Sequence, residues 1–222
     1  MSFTSSAERQ HRPLDAATAR SASLVHHVAL VALGGAGIGV LTSFGQTSLP
    51  FELSPLANSA GSWSLATFLL ALVEVVPRRA AILGGIALAT MLAGYAVATQ
   101  LRGFAVGTPL LVFWGFASIA VGPALGVGSA WFRGRDEVRI AAASALIAGI
   151  LVGEGMYGLT VVADTTPALY WVGEFVVGLG LAVLAFVWRL RTVTHRAIGA
   201  VLTIIVATAF YVTYSMSLIG LL

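Results

Sequence analysis

Two acidic residues stand where this sequence makes them expensive. Glu154 and Glu174 each lie inside an apolar run that contains no basic residue, and a carboxylate facing lipid costs about 2.5 kcal/mol or more. A side chain in that position turns toward a bundle interior or a wet cavity, where it can bind a cation, hold a proton or engage an amine-bearing solute. Glu154 lies about 15 residues into its run and Glu174 about 7 into the next, and at about 1.5 Å per residue both come to a similar depth from one face. Tyr157 follows Glu154 by three positions, and Tyr170 and Trp171 precede Glu174 by four and three, so each acid has aromatic neighbours on its own helical face. Two readings stay open: the acids floor a cavity open to the outside, or each is protonated or bonded by a tyrosine and locks two helices together.

Other polar residues gather toward the same side. The connection from Gly45 to Ser62 carries Gln46, Glu52, Asn58 and Ser59 without a positive charge, and loops often carry function. Its end, from Ala57 to Trp63, reads either as a surface cap or as an irregular start of the next span that dips into the bundle. Irregular backbone at that depth needs protein or water to satisfy it. Arg102 has Glu52, Glu154, Asp164 and Glu174 as candidate partners, or an anionic group. Glu74, just before Pro77, reads as an interfacial ion pair with Arg78 or Arg79, and Thr208, Tyr211 and Ser215 form a polar stripe suited to helix–helix hydrogen bonding.

Catalytic chemistry is a series of absences. The chain has no cysteine, and all 12 of its basic residues are arginine. HExxH, GxSxG and a glutamate with a histidine in one span are missing as well. The expectation is a protein that is not an enzyme, with no metal ligand set and no cofactor. Gly34 to Gly39 superficially spells a dinucleotide-binding loop, but that loop must follow a strand and open a helix, and here it lies inside an apolar run.

The frame that positions these residues follows from composition. Hydrophobic residues make up 58% of the 222 and charged residues 9%, with a mean hydropathy of +0.94. A soluble domain carries about 25% charged residues, so the apolar surface must face lipid. The pI near 9.8 does not imply nucleic acid, because the arginines fall between apolar runs and form no basic face. A spanning helix needs about 20 apolar residues, and seven runs qualify: 24–44, 59–76, 80–100, 109–132, 140–162, 167–188 and 197–220. The second is the weakest, since its strongly apolar part, Trp63 to Val76, has 14 residues. With seven spans, 11 of the 12 arginines lie on one side and Arg102 alone on the other. The positive-inside rule makes that side the cytoplasm, with the N-terminus in and the C-terminus out. Trp131 and Trp188 then sit at inner boundaries, and Trp63, Tyr170 and Trp171 at outer ones.

Lipid provides no hydrophobic drive between helices, so close packing of small residues must hold them. Gly35 and Gly39, the stripe Ala81, Gly85, Ala89 and Ala93, then Gly122 and Gly126, and the stripe Ala141, Ala145, Gly149 and Gly153 supply it. They suit a tight monomeric bundle, or a face for a second copy or another membrane protein.

A run of motifs carries a resemblance: Leu41 to Gln46 with Leu49-Pro50, Leu56 to Trp63, Leu101 to Phe104, Phe113-Trp114, Gly122-Pro123 with Gly126, and Glu154 to Tyr157. In that order they resemble an actinobacterial family of small multi-pass membrane proteins of unknown function. The resemblance implies the class and lends no catalytic residue.

The whole reading is an all-α polytopic membrane helix bundle. Residues 1–23 are expected as a disordered cytoplasmic tail and 24–222 as the transmembrane domain, in the cytoplasmic membrane. The expected function is small-solute binding or transport at an outward-facing site of Glu154, Glu174, Tyr157, Tyr170, Asn58, Gln46 and Arg102. A non-transporting accessory subunit is the alternative, and an intramembrane enzyme a remote third. Expected partners are the lipid bilayer, a small solute or cation, and another membrane protein or a second copy through the glycine-rich faces, but no nucleic acid.

Overall fold

Backbone N–H and C=O groups have no water to bond in lipid, so apolar runs of this length coil into helices. The computed structural model describes residues 8–220, with side-chain surroundings for 23–216, and no strand occurs among them. Helix α1 is Glu8–Ser48, α2 Ala60–Ala71, α3 Pro77–Leu101, α4 Thr108–Phe132, α5 Glu137–Thr160, α6 Ala168–Arg189 and α7 Val193–Gly220. A short 3-10 helix, Phe51–Ala57, precedes α2. Of the tail expected over 1–23, residues 1–7 lie outside the described residues. The part of α1 apolar enough to span begins at Ser23.

Among the described residues, six helices are long and apolar enough to cross a membrane: Ser23–Ser48 of α1, and α3 to α7. This is a multi-pass membrane bundle. The expected span over 59–76 has a different form. Its helix, α2, has 12 residues, about 18 Å at 1.5 Å per residue, against roughly 30 Å of hydrocarbon. It starts where expected, capped by Ser59, which accepts a hydrogen bond from the N–H of Ser62 at 2.9 Å. It stops early because Glu74 folds back onto the N–H groups of Val75 and Val76, and Pro77 then opens α3.

Glycines set how the long helices meet. Gly35 abuts Ala87 and Thr90, and Gly39 abuts Met91 and Tyr95, while the hydroxyls of Ser43 and Thr99 are 2.8 Å apart. Positions rise together, so α1 and α3 run parallel, and the segment between them carries the chain back down the bundle. Helices α3 and α4 run antiparallel, Gly84 on Gly122 and Ala80 on Gly126. Helix α5 packs parallel to α7 through Gly149 and Gly153, and antiparallel to α6, where Gly155 meets Phe175 and Gly158 meets Trp171. The small-residue faces of α1, α4 and α5 therefore meet inside the chain, whereas Ala89 and Ala93 of the stripe expected on α3 are exposed, because α3 meets α1 and α4 through Gly84, Ala87 and Gly94 instead. Helix α5 is the central one: 78% of its apolar window is buried, against 11% for α7.

At the end bearing most arginines, loops are tied to helix ends. Glu74 pairs with His27 at 3.5 Å and not with Arg78 or Arg79, because its other oxygen is held by the turn. Glu137 meets His195 at 3.0 Å, joining α5 to α7. Arg133 donates to the carbonyl of Leu72, and Arg189 to that of Gly134 at 3.0 Å.

Candidate functional site

The amino end of α2 is buried, and its first N–H groups have no partners within the helix. Glu154 of α5 supplies them. Its Oε1 accepts from the N–H of Ala60 at 2.8 Å, and its Oε2 accepts from the N–H of Gly61. Glu174 of α6 approaches the same point. The hydroxyl of Ser59 lies 3.0 Å from Glu154 Oε2 and 3.1 Å from Glu174 Oε1, so one hydroxyl bridges the two carboxyl groups. Glu154 is 2% exposed and Glu174 7%. A Cβ at position 61 would fall on Glu174 Oε1 and lie 2.7 Å from Glu154 Oε2 and 2.8 Å from Leu151 Cδ2, so a larger residue there displaces the acids.

Two carboxyl groups this close do not both carry full charge unless a proton or a cation sits with them. The hydrogen bonding separates their roles. Both oxygens of Glu154 are engaged by the backbone of α2, whereas Glu174 Oε2 is buried without a hydrogen-bond partner. Ser59 already accepts from Ser62, and its single proton serves one carboxyl at a time. The second contact is complete when the other carboxyl itself carries a proton, so the geometry suits one exchangeable proton shared by three groups.

Aromatic rings close the site. Tyr157 is buried and meets Tyr214 of α7 edge-on at 5.4 Å, and Tyr214 stacks on Phe210 at 4.5 Å. Tyr170 lies near Glu174 on the same helix, and Trp171 donates to Thr166 at 2.8 Å. On the other side of Ser59 lies a small cavity of about 50 Å³, walled by Gln46, Asn58, Ser59, Trp63, Tyr95 and Trp114. Gln46 donates to Asn58 at 2.7 Å and accepts from Tyr95 at 3.1 Å. Asn58 is exposed and Ser59 buried, so adjacent residues join the outer surface to the carboxyl pair. Below the pair, Phe68, Leu125, Ile147 and Ile150 form an apolar block. A larger groove of about 460 Å³ between α4, α5 and α7 is lined by apolar side chains, Trp131 and Leu146 among them, and has no charged group to recognise a solute.

Six of the seven expected residues thus come together: Glu154, Glu174, Tyr157 and Tyr170 around the pair, Gln46 and Asn58 at the cavity. Arg102 stands apart from the acids. It donates to the carbonyl and hydroxyl of Ser43 and to the hydroxyl of Thr47, and lies over Phe44 at 4.6 Å and Phe104 at 5.2 Å. One carbonyl and two hydroxyls in the last turns of α1 hold it there. Trp63, expected at an outer boundary, is 6% exposed and donates to Thr42 at 3.2 Å.

Sequence reasoning passed over Ser59 and Gly61 as chemical groups and Tyr95 and Tyr214 altogether, and it met Trp114 only within a motif of the resemblance. Ser59 was detectable, as a serine three positions before Ser62 at the start of an apolar run is a helix-cap signal. The tyrosines carry no such mark. Among the described residues, no group of three or more acids and histidines forms a metal-ligand cluster.

The family model described as "Family of unknown function (DUF6518)" matches residues 18–219. No curated protein and no solved structure matches the chain.

Proposed function

We propose, for a chain that belongs to the family of unknown function DUF6518, a membrane protein that binds a small solute or cation from outside in exchange for a proton held by Glu154 and Glu174. Such an exchange is the binding step a transporter needs. The observation that supports it is the carboxyl pair, which faces the amino end of an interrupted helix with Glu174 Oε2 unpartnered. Interrupted helices with ligand groups at the break recur in transporter sites. We place the protein in the cell membrane with seven crossings, the 3-10 helix and α2 together forming the second. The parallel course of α1 and α3 supports that count, and the arginines orient it, with Arg102 outside.

A second reading has its own support. Glu154 bonds two backbone N–H groups of α2, which suits a purely structural lock in an accessory subunit.

Infrared difference spectroscopy of membrane-reconstituted protein separates the two. Exchanging N-methylglucamine chloride for sodium, potassium or methylammonium chloride at constant pH is expected to remove the carbonyl band of a protonated carboxyl group with at least one cation, and Glu174→Gln to abolish that change. If no cation in the series alters the band, the exchange reading falls and the structural lock stands.

A further inference from the structure

We infer that the cavity beside Ser59 is the seat of a small primary ammonium ion, of ammonium to methylammonium size, whose charge the Glu154–Glu174 pair balances by giving up its proton. This assignment rests on the exchange reading above and names its ligand.

Hydrogen-bond accounting on the cavity wall is the first support. The indole N–H of Trp63 is spent on Thr42, the hydroxyl of Thr42 on the carbonyl of Ile38 at 2.9 Å, and the hydroxyl of Tyr95 on Gln46. The Gln46 amide donates to Asn58 and, at 3.5 Å, to the carbonyl of Ala57. The indole of Trp114 and the exposed amide of Asn58 are left among the wall's donors. In contrast, the amide oxygens of Gln46 and Asn58 each accept one bond and keep a second lone pair. A wall with spare acceptors and no positive charge selects a guest that donates, and it disfavours an anion.

Ring geometry is the second. Trp63 meets Trp114 with centroids 4.7 Å apart at 46°, and Tyr95 at 6.3 Å and 72°. Rings inclined to one another in this way form a corner, and indole and phenol rings attract cations through their quadrupoles.

Charge and size complete the case. The wall itself holds no carboxylate, but Ser59 belongs to both compartments and touches both acids. The buried, unpartnered Oε2 of Glu174 marks a charge partner not yet used. A volume of about 50 Å³ compares with about 10–15 Å³ needed for one water by the same kind of measure. It admits an ammonium or methylammonium ion with a water and excludes a tetraalkylammonium ion. When the ion enters, the O–H bond of the carboxyl pair breaks, Ser59 takes up that proton as it gives its own hydroxyl proton to an outer water, and the water carries it away as hydronium. One positive charge replaces another.

The test is calorimetric titration of the full-length protein in lipid nanodiscs with methylammonium chloride. It is run at constant ionic strength in phosphate and in HEPES, so that the difference in heat counts released protons. The expected result is saturable binding with about one proton released per ion, and no binding of tetramethylammonium. Gln46→Leu and Trp114→Leu, each compared as folded protein in nanodiscs, weaken binding about tenfold, and Glu174→Gln abolishes the proton release. The assignment is overturned if methylammonium gives no saturable heat, if tetramethylammonium binds equally, or if both cavity variants bind like the parent. Should sodium or potassium discharge the infrared carboxyl band while methylammonium does not bind, the ammonium assignment fails and the exchange reading survives. If neither occurs, both fail.

Discussion

Gly61 decides how closely the acids approach the helix end. A methyl group there would overlap Glu174 Oε1 and press on Glu154 Oε2 and Leu151. Overpacking of this kind costs about 1–3 kcal/mol. Gly61→Ala is therefore expected to lower the thermal unfolding midpoint by about 2–4 °C per kcal/mol lost, as read by fluorescence in detergent. Gly37→Ala, where nothing lies within 4 Å, leaves the midpoint unchanged or raises it slightly, since alanine is the better helix former by roughly 0.5–1 kcal/mol. The acids should also respond unequally. Glu154→Gln sets an amide N–H2 against a backbone N–H of Ala60 or Gly61, a donor–donor conflict worth about 1–3 kcal/mol. Glu174→Gln meets no such conflict, because its Oε2 has no partner. The unfolding midpoint of Glu154→Gln is expected to fall clearly below that of Glu174→Gln, and equal midpoints would contradict the division of roles. The aromatic companions Tyr157 and Tyr170 were visible from spacing alone, because three- and four-residue intervals place side chains on one helical face. Tyr95, Trp114 and Tyr214 were not, because the helices that carry them meet the site only through tertiary packing.

Among the elements, α2 departs most from a hydropathy profile. A window of apolar residues does not distinguish a full span from a 12-residue helix preceded by irregular chain, because both bury similar side chains. The signal lay in the polar stretch from Asn58 to Ser62, and its meaning depends on α5 and α6 presenting acids at that height. The opposite ends of the same helices are tied differently. Glu137 in the first turn of α5 meets His195 of α7 at 3.0 Å, with side chains 22% and 29% exposed. The same carboxylate accepts the N–H of Arg191 at 2.9 Å, so it ties the start of α5 to the turn before α7. Glu137→Ala removes this acceptor and is expected to lower the thermal unfolding midpoint. An unchanged midpoint would show that the tie contributes nothing to stability.

At the scale of the molecule, the bundle has one arginine-rich end and one end bearing the carboxyl site. In the proposed orientation, Ser48→Cys and Thr165→Cys react with an impermeant thiol reagent added to intact cells, and Arg135→Cys does not. All three residues are exposed, and the chain has no other cysteine. Labelling of Arg135→Cys from outside would reverse the orientation and turn the site inward. Hydropathy, the six long helices, the packing glycines of α1, α4 and α5 and the placement of Glu154 and Glu174 inside apolar helices were legible in the linear sequence, because each depends on neighbours within a few helical turns. The class of the protein and the candidacy of its buried acids followed from those local terms. Ser59 bonds Glu154 and Glu174 across separations of 95 and 115 residues, and Arg102 reaches the end of α1 across 59. Such meetings depend on which glycines let which backbones touch, and on where α2 begins. The tertiary structure alone joined the two acids, set the polar cavity beside them and turned Arg102 away, since partner choice among distant polar groups is settled by packing and leaves no periodic trace along the chain.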